Sequence, residues 1–137
     1  MSIWRSLVKG DPIAWLLEDE NPAAQFFTLT DILDKPKDDP EVVKAKQAIM
    51  QNGVVPKIMD KQNQEGFWEN QESFYTAKYK GTVWQLMILA ELGAAGEDER
   101  IRKACEYILV NAQDRESGGF SINTAAKTGG GRHSEVR

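Results

Sequence analysis

Tyr75, Tyr79, Lys80 and Trp84 form the group in this chain best suited to contact a ligand. They lie together in the stretch YTAKYKGTVW. Aromatic faces attract cations through the ring quadrupole and offer flat apolar area. Aromatics of this kind also serve simply to pack a long loop. Other reactive types are sparse. Cys105, the one cysteine, cannot form an intrachain disulfide or a multi-cysteine metal site. It falls on the apolar stripe of a helix and is expected to be a small core residue. His133 lies in a Gly-rich tail with no second ligand nearby, whereas zinc takes four ligands, or three plus water. No metal and no cofactor are therefore expected. Ser134 beside His133 is adjacency in sequence, not the geometry of a catalytic triad. The glycines at 129–131 are followed by RHSE rather than a helical pattern, so no phosphate loop is indicated.

The elements that must position these residues are helical throughout, and no strand run is credible. Asp11–Pro12, Asn21–Pro22 and Asp39–Pro40 each pair an N-cap with proline at the first helical position. Ile13, Leu16 and Leu17 share one face of a short helix. Ala23, Phe26, Phe27, Thr30 and Leu33 continue a stripe at spacings of three and four, which Pro36 ends. Val42, Val43, Ala45, Ile49 and Met50 make the next apolar face, closed by Gly53. Residues 54–62 form another short helix. Residues 63–81 carry no apolar period and read as a long loop. Thr82 opens the clearest helix, with Val83, Leu86, Met87, Ala90 and Leu92 buried and Gly93 as its stop. Asp98 caps the last, whose stripe is Ile101, Ala104, Cys105, Ile108, Leu109 and Ala112.

The chain repeats itself. With an offset of 59 positions, Phe27 meets Leu86, Leu29 meets Ile88, Leu33 meets Leu92, Asp39 meets Asp98, Val42 meets Ile101 and Ala45 meets Ala104. Further on, Gln62 meets Gln113 and Trp68 meets Phe120, because the first copy holds extra residues near QNGVVPKI. Both copies close alike: a glutamine at a helix end, then glycine (Gly66, Gly118), then an aromatic. The glutamine amide can tie the loop to neighbouring backbone. The glycine permits the tight turn, and the ring drops between helix pairs.

These turns resemble the QW motif of the squalene/hopene cyclase and protein prenyltransferase superfamily. The stretches DPIAWLLEDENPAAQFF, GFWENQESFYTAKYKGTVWQLMILAELGA and IRKACEYILVNAQDRESGGFS also look like a bacterial group within it. The resemblance covers about residues 11–122; residues 1–122 are expected to form one helical-repeat domain, with residues 123–137 as a flexible Gly-rich tail. It implies an all-α fold of α/α-toroid type, here a partial ring of about six helices. It also implies an apolar isoprenoid substrate for the family's enzymes. The family's acid motif DxDD is not matched. Asp31-Ile-Leu-Asp34 has the wrong spacing, and in Asp38-Asp39 the second residue is an N-cap. No catalytic residue is identified.

A chain of 137 residues suits one domain. A net charge of −4 argues against nucleic acid and anionic membranes as partners. No run is long enough for a transmembrane helix, and MSIWRSLVKGDP has no apolar core of a secretory signal. A cytoplasmic scaffold that self-associates, or joins the remainder of a toroid, is the expectation. The alternative is the N-terminal part of a cyclase-like enzyme.

Overall fold

The computed structural model describes residues 3–114 and 116–120. His133, Ser134, the glycines at 129–131 and the expected tail 123–137 lie outside them. The described residues are mostly helical and contain no strand. Helices α1 (Ile13–Leu16), α2 (Pro22–Phe27), α3 (Pro40–Ile49), α4 (Val54–Met59), α5 (Thr82–Glu91) and α6 (Glu99–Ala112) follow in order. Short 3-10 turns stand at Ile3–Ser6 and Lys78–Lys80. The protein is all-α. It divides into two compact units, Met1–Pro56 and Lys57–Arg137, with the boundary inside α4.

Short polar side chains start the helices. Asn21 accepts from the Ala24 amide, Asp39 from Glu41 and Asp98 from Arg100. Each satisfies one backbone donor that the first turn would leave orphaned. The proline at the first position of α2 and α3 has no donor to lose. Gly53 and Gly93 end their helices with positive φ, 83° and 73°.

In the first unit, Leu29, Val42 and Ala45 form the buried centre, with Leu17, Phe26 and Leu33 packed against it. The expected stripe of the second helix slips here. α2 passes into a π turn, Thr28–Ile32, which holds one more residue than an α turn. The helix face rotates accordingly. Thr28 and Leu29 are buried, while Thr30 is only partly so.

The π turn also corrects the repeat. At the end of α5, the Ala94 amide donates to Leu89 O at 3.0 Å across Gly93. In the first copy, the Lys35 amide donates to Leu29 O at 2.9 Å across Asp34. Leu29 is thus the partner of Leu89, not Ile88, and both are buried. The first copy carries one inserted residue, and Asp34 takes the left-handed φ of 51° where the second copy has Gly93.

Two other expected faces are corrected. On α3, Val43 is exposed. On α5, Leu89 and Thr82 are buried, whereas Met87 and Ala90 are exposed. The stripe on α6 is narrower than its spacing suggests. Ile101, Ala104 and Ala112 are buried, Ile108 is half-buried, and Cys105 and Leu109 face outward. Cys105 is therefore an exposed free thiol rather than a core residue. A spacing of three and four marks an apolar side, but its width depends on how many elements pack there.

Candidate functional site

Both glutamine–glycine turns lie in the second unit. In the first, Gln62 Nε2 donates to Gly66 O at 3.0 Å. The Asn63 amide donates to Phe67 O at 2.8 Å, and the Gly66 amide returns to Asn63 O at 2.9 Å. In the second, Gln113 Nε2 donates to Gly118 O at 3.2 Å. The Asp114 amide donates to Gly119 O at 2.8 Å, and the Gly118 amide to Asp114 O at 2.8 Å. The two turns have the same hydrogen-bond plan, the second being one residue longer. Gly66 and Gly118 both take positive φ, 102° and 73°, a conformation that costs other residues about 1–2 kcal/mol.

Sequence reasoning missed one participant in each turn. Asn63 Oδ1 accepts from the Glu65 amide at 2.9 Å. Asp114 accepts from the Ser117 amide at 2.9 Å and from Ser117 Oγ at 2.5 Å. Asp114 is a buried carboxylate, and these turn bonds hold it. The available signal was an Asn or Asp directly after the glutamine, since such side chains fold back on nearby amides.

The surroundings of the two turns differ. The first is held from α6. Gln62 Nε2 also donates to Arg100 O at 2.8 Å, and the Lys103 ammonium donates to Gln64 O. Tyr107 Oη donates to Gln71 O at 2.8 Å, and its ring lies 5.4 Å from that of Phe67. Burial pushes the Tyr107 phenol above its ordinary pKa, and the Glu65 charge adds to this. Trp68 is 3% exposed; its indole N–H donates to Ile58 O at 2.8 Å, and its amide to Thr82 Oγ1 at 3.0 Å.

Around the second turn, a methyl group on Gly118 would meet nothing within 4 Å among the described residues. Phe120 pairs with Gln113 in an isolated antiparallel bridge but is 43% exposed. On the adjoining helix, Cys105 is exposed, Leu109 is 49% exposed and Val110 is 72% exposed.

The aromatic–basic group is brought together only in part. The rings of Tyr75 and Tyr79 each stand 5.7 Å from that of Trp84. Trp84 Nε1 donates to Tyr75 O at 2.9 Å, and Gln85 Nε2 to Tyr79 O. Tyr75, Tyr79 and Lys80 are exposed at the surface. The loop beneath is closely packed. Phe74 is fully buried, and a methyl group on Gly81 would come within 2.5 Å of Phe74 O.

The acidic strings stay apart from any such cluster. Asp31, Asp34 and Asp38 are exposed, and Asp39 caps α3. A cavity of about 430 Å³ lies in the first unit. Leu17, Leu29 and Leu33 line it together with Asp19, Gln25, Lys35, Glu41 and Lys44. Comparison with protein-family models, with curated proteins and with solved structures gave no match in any of the three.

Proposed function

We propose that this chain is a non-catalytic helical-repeat module of α/α-toroid type that assembles through the exposed apolar residues of its second repeat. The observation that carries this is the contrast between the two glutamine–glycine turns. The first turn meets Arg100, Lys103 and Tyr107 of α6. The second presents the same backbone plan beside Phe120, Leu109 and Val110, all substantially exposed. A repeat that cannot bury its apolar side alone stacks on a neighbour or needs a cap. A further helix pair would supply that neighbour, from a second copy of the chain or from the remainder of a toroid.

An enzyme of cyclase type would gather aromatic rings and a buried acid around an apolar cavity. Here the cavity combines three leucines with charged groups of both signs, and Asp114 is occupied within its turn. For these residues the scaffold reading is the better supported. The enzyme reading, part of a cyclase-like protein acting on an apolar isoprenoid, is the alternative.

Sedimentation velocity at tens of micromolar tests the proposal. A dimer or larger species is expected, with an interface of roughly 1,000 Å² or more. The double variant Leu109→Lys, Val110→Lys is expected to be monomeric while keeping its helical content. A strict monomer for the unaltered chain would refute the self-association.

A further inference from the structure

The inserted residue of the first copy lies next to a cavity, and residues at and after the insertion form part of its wall. The second copy ends α5 with Gly93 and an ordinary closure from Ala94 to Leu89. The first copy inserts a residue. Its π turn carries the Leu33 amide back to Thr28 O at 3.0 Å, and Asp34 is placed at a φ of 51°. π turns are rare and recur at functional sites, and a non-glycine residue in the left-handed region is unusual. The residues thereby displaced, Leu29, Leu33 and Lys35, line the cavity of about 430 Å³. That volume lies in the range of small-molecule pockets.

The charges around the cavity are not equally free. The Lys35 ammonium pairs with Glu41 and lies 3.7 Å from Asp39. Asp19 accepts from Gln25 Nε2 at 3.1 Å, and that amide also donates to Leu17 O at 3.1 Å. The Lys44 ammonium takes no ion pair or side-chain hydrogen bond among the described residues. The cavity thus offers a floor of leucines with two charges outside any ion pair among the described residues, the Lys44 ammonium and the Asp19 carboxylate, of which Asp19 already accepts from Gln25.

We infer that this cavity binds a small amphipathic carboxylate, its apolar body on Leu17, Leu29 and Leu33 and its anionic head at Lys44. The apolar body removes leucine surface from water, and the carboxylate gives Lys44 a charged partner that the described residues do not supply. The inference does not depend on the assembly of the second repeat, because every residue involved belongs to Met1–Pro56.

Titration of the ¹⁵N-labelled full chain with octanoate, below its micelle concentration, tests the inference by amide shifts. Saturable shifts are expected for residues lining the cavity. The exposed variant Lys44→Gln is expected to bind about ten-fold more weakly, the equivalent of one charge-assisted hydrogen bond. Leu33→Trp, which fills the space, is expected to abolish the shifts while the rest of the spectrum stays dispersed. Octan-1-ol is expected to bind more weakly than octanoate. The inference is overturned if octanoate produces no saturable shift, or if its shifts map outside the cavity. It is equally overturned if Lys44→Gln binds as well as the parent, or if octylammonium, which Asp19 would favour, binds as well as octanoate.

Discussion

The two glutamine–glycine turns share a backbone plan and differ in what touches them. At the first, a methyl group on Gly66 would meet the Lys103 backbone at 3.1 Å, and Trp68 is 3% exposed. At the second, the same group on Gly118 meets nothing within 4 Å among the described residues, and Phe120 is 43% exposed. The turn is a local device that a short sequence can build unaided. The clamp is a tertiary device, made only when a following helix supplies carbonyls and a surface. Equal motifs are therefore expected to carry unequal energies within one chain.

The contrast can be broken most sharply at the aromatics. Trp68→Ala is expected to cost about 3–5 kcal/mol, because it empties a buried site and removes the indole hydrogen bond to Ile58 O. Phe120→Ala is expected to cost less than about 1 kcal/mol in the monomer. Urea unfolding measures both, with the m-value as a check that the unfolding transition is unchanged. Equal costs would mean that Phe120 is buried as deeply as Trp68.

The glycines come next. Gly66→Ala meets both the left-handed φ and the Lys103 backbone, so roughly 3 kcal/mol is expected. Gly118→Ala meets, among the described residues, only the φ, for about 1 kcal/mol. If assembly closes a helix over the second turn, Gly118→Ala is further expected to weaken association, which light scattering would register.

The glutamines separate less. Gln62 serves two carbonyls and Gln113 one. Gln62→Leu is expected to cost about 1–2 kcal/mol and Gln113→Leu about half as much.

The smallest effect is electrostatic and concerns the helix that covers the first turn. The side-chain hydrogen bonds from Arg100 hold the Asp98 carboxyl below the usual aspartate range, and the Arg100 amide adds to this. A depressed pKa in the folded state stabilises it above the unfolded value of about 3.9 and loses that contribution as pH falls through the folded value. Asp98→Asn, which keeps a capping oxygen, is expected to flatten the stability profile below about pH 4. An unchanged acid limb would show that the pair contributes nothing.

What the sequence by itself determined is local. The Asn21, Asp39 and Asp98 caps, the glycine stops and the glutamine turns act between residues a few positions apart. Their chemistry is complete without the rest of the chain. The aromatic stretch was legible in the same way, and its rings do gather around Trp84. What only the tertiary structure decided is which side of each helix is covered. Cys105 and Leu109 satisfy the apolar spacing of α6 as well as Ala104 does, yet they lie exposed. The π turn was equally hidden. Nothing in TLTDI distinguishes five residues per closure from four, since the choice is made by packing Leu29 onto Val42 and Ala45. Periodicity reports what a helix could bury, and burial itself depends on the neighbours that arrive.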